Sequence, residues 1–482
     1  MIMNNEVVQY RTYIKGGILS PVELQQIIEY AQKLELDTFH FGSRQDIIFP
    51  LKDRNENIVE EHDLFDPSFF SSQSQQNISC SYVSIDIFDA TVWLRGTTYL
   101  YILEEFRYKP TLKINITDPK QQMVPLFSGD LNFIASPNED YWYLFLKLPD
   151  WSEMYYPALI YTWDIAKIAE AIEKEYKDVT GIDELFKLLN QKVDSNNKVI
   201  ENPLQVTFNP FPYYEGMNKM GINQYWLGLY WRNNKYDLKF LKMLCEFCVE
   251  HRIGKICLTS WKSFVIKGIP RESKLALEKL LGQSGINVRH SALELNWHLP
   301  VSNKKALELK KFLVMNFDQN DISTYGLTFS IVANQNQNRY FTSIVIEENK
   351  TPERIKDFVI RSTYNVLYAK NFDPNTRNYI VYAQDIDQMD LPGLLLELTK
   401  TYFQNLGTKN DSHNVGVIAK KEVLEIEVYQ CNDCQTVYDP SVGDVLRGIS
   451  IGTEFMDLPV DYNCSLCEAS IDNFEKIVLE IV

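Results

Sequence analysis

The sequence has no run of apolar residues long enough to cross a bilayer, and its first residues, MIMNNEVVQYRTY, lack the basic segment and apolar stretch of a secretory signal. No membrane span is expected, and a reducing cytoplasm is the expected compartment. Basic charge is also short: 48 Lys and Arg stand against 64 Asp and Glu, for a net charge of -16. That balance argues against nonspecific binding to nucleic acid or anionic membrane and favours partners with basic surfaces. No phosphate-binding loop, dinucleotide fingerprint or serine-nucleophile motif occurs, so the common nucleotide and hydrolase chemistries lack their residues. Cysteine is missing from 258 to 430.

What is present is the composition of a folded chain. Of 482 residues 45% are apolar and 23% charged, which excludes a disordered or fibrous class. At roughly 100 to 200 residues per domain, the length predicts about three domains. Residues 20–34 carry helix start signals: Ser20 as cap, Pro21 in the first turn, Glu23 three residues on, and apolar Leu24, Ile27, Ile28, Ala31 and Leu34. A strand over 38–41, the turn Gly42-Ser43-Arg44-Gln45 and a strand over 46–49 follow. The same order returns later: a helix over 237–252, a strand over 255–258, the turn Thr259-Ser260-Trp261-Lys262, a strand over 263–266 and a helix over 273–281. This order is an internal repeat. Further strands are expected around 82–87, 92–94, 326–333, 340–346 and 378–382, with helices over 165–176, 304–312, 352–368 and 392–403. Such alternation points to α/β or α+β units. The stretch 407–416, GTKNDSHNVG, is too polar and turn-rich to bury and reads as a linker.

Charge and cysteine converge on the last part of the chain. From 428 to 482 ten acidic residues face two basic ones, a net of -8 and half of the total. The same segment holds Cys431-x2-Cys434, 29 intervening residues, then Cys464-x2-Cys467. Each close pair offers two sulfurs from one tight loop, and four thiolates hold one tetrahedral ion. Spacing alone does not separate zinc from iron, and disulfides are the competing reading. Cys245 and Cys248 share a helix face and, with Cys257, read as packing thiols. His290 and His298 read as fold or interface residues, since no four-ligand constellation accompanies them.

Between and after the cysteine pairs stand Tyr438-Asp439-Pro440, Gly443-Asp444, Gly448-Ile449, Gly452-Thr453, Phe455, Leu458-Pro459 and Phe474. In this order they resemble a rubredoxin over residues 428 to about 476. The resemblance implies one iron, cycling between Fe(3+) and Fe(2+), on Cys431, Cys434, Cys464 and Cys467, with zinc as the substitute ion. It implies one-electron transfer with no open position for substrate, and Tyr438, Phe455, Tyr462 and Phe474 as a small aromatic core. Acidic groups on the rim would attract a redox protein or reductase with a basic docking surface. The sequence departs from the family at Gln435 and Glu468, where glycine is usual, at Ser465 for proline, and at Tyr462 for tryptophan.

Residues from about 8 to 50 and from about 211 to 291 resemble the ferredoxin-like half domains of the nitrite and sulfite reductase family. The strings that carry this are GGILSPVELQQIIEYA with GSRQDIIF, and YWLGLYW with KICLTSWKSFVIKGI. Residues around 110–200 and 290–405 then take the places of the two sirohaem-binding halves. The resemblance implies Arg44 as the match to an arginine that helps bind sirohaem and anionic substrate, with Lys262 as its counterpart in the second repeat. The segment 129–136, GDLNFIAS, resembles the Gly-Asp-rich active-site loop but lacks its arginine. A catalytic member needs four cluster cysteines, as C-x5-C and C-x3-C in the second half, and this chain has no such pattern after Cys257 until the rubredoxin-like segment. Sirohaem and a [4Fe-4S] cluster are therefore not expected.

The expected class is α+β: a duplicated reductase-like scaffold followed by a small iron-binding domain. The expected divisions are 1–200 and 201–406 for the two repeats, 407–427 for a linker and connecting strand, and 428–482 for the rubredoxin-like domain. The expected function is one-electron transfer, with a scaffold that is not catalytic and docks a redox partner, in nitrite/nitrate or sulfite assimilation. Two readings compete: an oxidoreductase retaining sirohaem or another cofactor in the scaffold, and a structural docking protein with a zinc tetrathiolate.

Overall fold

The computed structural model describes residues 8–51, 78–333, 335–349, 354–355, 358–359, 362–412, 424–434, 436–440, 443–444 and 447–481. The chain forms two compact units, Met1–Phe403 and Gln404–Val482. In the first, helix Pro21–Lys33 starts as its sequence dictates. Ser20 Oγ accepts from Glu23 N at 3.2 Å, and Glu23 accepts from Ser20 N at 2.7 Å, closing a capping box. In the second repeat Asp237 caps helix Leu238–Glu250 by accepting from Phe240 N at 2.7 Å. The apolar faces of both helices, including Leu24, Ile28, Leu241 and Leu244, lie in one core.

Each helix covers an antiparallel sheet, and each sheet borrows a strand from the other repeat. The first runs Val8–Tyr13, Asp46–Leu51, Thr38–Phe41 and then Tyr236–Asp237; the second runs Gly216–Met220, Gln224–Leu229, Phe264–Pro270, Lys255–Leu258 and then Ile18–Leu19. Tyr236 thus pairs with Phe39, and Cys257 with Ile18. The exchange makes the repeats one folding unit.

The remaining sheets repeat a mixed order. Ile78–Cys80, Ile114–Thr117, Leu131–Ala135, Tyr141–Leu146 and Ala158–Tyr161 pair parallel, parallel, antiparallel, antiparallel. Trp297–His298, Phe329–Val332, Ile344–Glu348, Thr363–Ala369 and Tyr379–Asp387 pair in the same four senses. The fold is therefore a mixed helix and strand scaffold with both layers duplicated.

Three expectations fail. The helix expected over 352–368 is instead a short strand pair, Arg354–Ile355 with Phe358–Val359, and the strand Thr363–Ala369. Its run TYNVLYA carries the β-branched and aromatic residues a central strand favours, with a neighbour on each side. The strands expected around 82–87 and 92–94 are a 3-10 turn, Ser81–Ser84, and a further turn at Val92 and Trp93. Lys267 Nζ donates to the carbonyls of Tyr82 and Ile85, both at 2.9 Å, so a buried ammonium takes acceptors that a ladder needs. Helix Leu391–Ser412 runs into the stretch read as linker; residues 413–423 lie outside the described residues, and strand Leu424–Cys431 follows.

The small unit is a three-stranded antiparallel sheet, Val437–Tyr438, Leu424–Cys431 and Phe474–Ile481. Tyr438, Phe455, Leu458 and Tyr462 are buried together against Tyr429 and Phe474. Too little chain is present for a large core, so a metal contributes strongly to such a fold.

Candidate metal centre

Cys431 ends its strand opposite Phe474, and its N–H donates to Thr436 O at 2.9 Å, folding the first pair into a tight loop. The second loop has the same form: Cys464 N donates to Ala469 O at 2.8 Å, and Asn463 bridges to Ser470. The two loops bring the four Sγ atoms within 4.8 Å of one another. Cys431 and Cys467 Sγ are 3.6 Å apart, and Cys434 and Cys464 Sγ 3.5 Å. Tetrahedral ligation at a metal–sulfur distance of about 2.3 Å gives sulfur–sulfur edges of about 3.8 Å, whereas a disulfide requires about 2.0 Å. The spacing suits four sulfurs around an ion. Among the described residues this is the only such group of His, Cys, Asp or Glu.

The cage is asymmetric. Cys431 and Cys464 are buried and Cys467 is exposed, so one corner faces solvent. The Thr436 hydroxyl, 3.1 Å from Cys434 Sγ, together with the Thr436 N–H, brings that thiol down to about 6, which favours the thiolate that a metal needs. Glu468, in the place of a usual glycine, holds φ at +62°. Gln435 lies outside the described residues. Tyr462, in the place of the usual tryptophan, donates to Asp444 Oδ2 at 2.9 Å. Gly443 is required: at φ +68° a Cβ would stand 2.8 Å from Ile449 O. The four expected aromatics pack together, and a fifth, Tyr429, stacks on Phe455 at 3.9 Å. Tyr429 was not expected; the strand that presents it, two residues before Cys431, is the signal that marks it. In the small unit Asp433, Glu454, Asp457, Asp461, Glu468, Asp472 and Glu475 are exposed, and so is Leu466 beside Cys467.

Away from the cage, Arg44 is buried, with its guanidinium on the Asn115 side chain and, at 2.8 Å, on Ile114 O. Burial lowers its pKa to about 10. Lys262 is buried as well, but it is not the positional counterpart of Arg44. Each turn is closed by the same hydrogen bond, Gly42 N to Asp46 O and Thr259 N to Ser263 O, which sets Lys262 on Gln45 and Trp261 on Arg44. Cys245, Cys248 and Cys257 are buried thiols, and burial pushes Cys248 up to about 12. His290 Nδ1 lies 3.0 Å from Glu215.

A tetrathiolate cage at the edge of a small antiparallel sheet defines a metal-binding module. The rubredoxin family profile matches residues 428–474. The segment is 48% identical over 63 residues to the high molecular weight rubredoxin of Moorella thermoacetica, covering 13% of this chain and 28% of that protein. It is 38% identical over 64 residues to the probable rubredoxin HupI of Bradyrhizobium diazoefficiens, covering 13% of this chain and 90% of that one. The chain belongs to the rubredoxin family through this C-terminal domain, and a rubredoxin domain implies electron transfer at a four-cysteine metal site. The scaffold has its own likeness: the structure of Mycobacterium tuberculosis NirA superposes with a TM-score of 0.63 at 14% identity, over 82% of this chain and 81% of that one. The scaffold thus has a NirA-like fold. No helix among the described residues is long and apolar enough to cross a membrane.

Proposed function

We propose that the chain is a one-electron carrier whose iron is held by Cys431, Cys434, Cys464 and Cys467, and whose scaffold docks a redox partner rather than performing reduction itself. The observation that carries this is the cage: four sulfurs within 4.8 Å of one another, with every ligand supplied by the chain. Bound iron supplies a single electron at nearly constant tetrahedral geometry. The chain's own residues do the rest. The two loops fix the sulfurs, the aromatic cluster keeps water from the buried side, and the exposed Cys467 edge is the exit toward a partner. Acidic groups around that edge select a basic surface and make association salt-sensitive. The four cysteines outside the cage, Cys80, Cys245, Cys248 and Cys257, are buried thiols, which suits a reducing setting.

Two observations argue against sirohaem at the two turns. Arg44 is spent on Asn115 and Ile114. Its counterpart position holds Trp261, packed 4.6 Å from Phe211 with Nε1 on Gln122 O, and the void beside it is about 30 Å³, against roughly 300–1,000 Å³ for a cofactor pocket. The residues do not fit a tetrapyrrole at this place. The NirA-like fold makes nitrite/nitrate or sulfite assimilation the pathway proposed for the partner. Metal analysis and a spectrum of the purified chain test this reading: stoichiometric zinc, or a haem-type absorption band, defeats it.

A further inference from the structure

A cleft of about 1200 Å³ is bounded by three stretches of the large unit: 230–233, 285–294 and the helix Lys304–Gln319. It has room for a ligand of the usual small-molecule site, roughly 300–1,000 Å³. On the helix, Leu307, Lys311 and Val314 recur at spacings of four and three residues and so share the face that lines the cleft. Ile286 and Leu293 add apolar surface from the loop side, and all four apolar residues are partly buried.

The polar groups of the cleft form a held array. Glu294 and Lys310 are 6% and 3% exposed and lie 2.8 Å apart. Lys310 also donates to Tyr230 OH at 2.7 Å, and Arg232 Nε lies 2.7 Å from Glu294. Arg232 Nη2 donates to His290 O at 3.2 Å, which sets this guanidinium beside Arg289. His290 Nδ1 lies 3.0 Å from the buried Glu215, itself accepting from Ser291 N at 3.0 Å and Tyr213 OH at 2.9 Å. The ring is therefore fixed, and its Nε2 has no hydrogen-bond partner among the described residues. A buried ion pair seldom repays its desolvation as stability; several converging on an apolar-walled cleft have the make-up of a ligand site.

Charge decides the class of ligand. Arg232, Arg289, Lys310 and Lys311 line the cleft against Glu294, Glu308 and Asp318, four cations to three carboxylates, in a chain of net charge -16. The excess is on the loop side. There Glu294 and Glu215 are already engaged, whereas Arg289 is exposed and has no ion-pair partner among the described residues. On the helix side Lys311 is flanked by Glu308 and Asp318, so that wall offers chiefly its apolar residues.

We propose that this cleft binds a small organic anion, with its acid group on Arg232, Arg289 and His290 and its apolar body along Leu307 and Val314. None of these residues belongs to the tetrathiolate cage, so the site does not depend on the iron.

The test is a fluorescence titration of the full chain with anilinonaphthalene sulfonate, an aromatic body carrying one acid group. The expected result is saturable binding of about one probe per chain, weakened about 10- to 100-fold when Arg232→Gln and Arg289→Gln are combined. Lys310 keeps Glu294 paired in that variant, so its thermal midpoint should stay near that of wild type. Arg289→Gln alone, at an exposed side chain, should weaken binding about 10-fold without touching the Glu294 network. Lys187→Gln, exposed on the helix Ile182–Lys192, is the control that leaves binding unchanged. Phenylnaphthylamine, the same body without the sulfonate, should bind at least about 10-fold more weakly. Absence of saturable binding, equal binding by the arginine variants and wild type, or equal binding of the two probes overturns the proposal.

Discussion

Gln45 and Lys262 occupy the same left-handed position in the turns of the two repeats, with φ of +55° and +59°. The first is spent on structure: Gln45 Nε2 donates to Leu258 O at 2.7 Å and to Cys80 O at 3.1 Å, and Oε1 accepts from Cys80 N at 2.8 Å. One buried amide thus ties the first repeat to the second. Gln45→Ala leaves those groups unpaired and should lower the stability of the large unit by about 2–4 kcal/mol. Urea unfolding measures this, and a loss under about 0.5 kcal/mol would mean that the bridge contributes nothing.

The second turn leads to a pH effect. Burial, with the charge of Lys310, lowers the pKa of Lys262 to about 7, whereas an unfolded lysine titrates near 10.4. Between these values the unfolded chain binds the extra proton, so stability should rise as pH increases from about 7 to about 10. The slope from this group is at most about 1.4 kcal/mol per pH unit. Comparison with Lys262→Met, which lacks the group, isolates it; parallel stability profiles for the two proteins would refute it.

At the cage, Cys464→Ser removes a buried ligand and should abolish stoichiometric metal binding. Removing metal from wild type with a chelator should have the same consequence, loss of the near-ultraviolet dichroism of the Tyr429, Tyr438, Phe455 and Tyr462 cluster. Retention of that signal in the metal-free chain would show that the aromatic core holds the domain without its ion.

Glu468 gives a prediction of opposite sign. At φ +62° it pays the strain that glycine avoids, and its pairing with Arg447 at 3.7 Å is largely exposed and weak. Glu468→Gly should raise the melting temperature of the metal-loaded small unit by a few degrees. A fall would mean that the Arg447 contact outweighs the backbone.

The cysteine quartet, the aromatic core and the order of elements in the repeats were legible in the sequence because each is local: a spacing, a composition, a helix period. The capping box at Ser20 and Glu23 was legible for the same reason. The exchange of Ile18–Leu19 and Tyr236–Asp237 between sheets was not, since a two-residue strand has no period to read. The strand Thr363–Ala369 reads as part of a helix in the sequence because only its neighbours on either side reveal it as central. The resemblance pairs Lys262 with Arg44 as second-repeat counterpart, whereas the turn's hydrogen bond matches it to Gln45.

The central claim, that the cage holds a redox iron, is tested most directly by metal analysis with an anaerobic ultraviolet-visible redox titration of the full chain. The account predicts about one iron per chain and a thiolate-to-iron visible absorption that bleaches with a single electron and returns on reoxidation. A colourless protein carrying about one zinc, with no redox-dependent absorption, would contradict it.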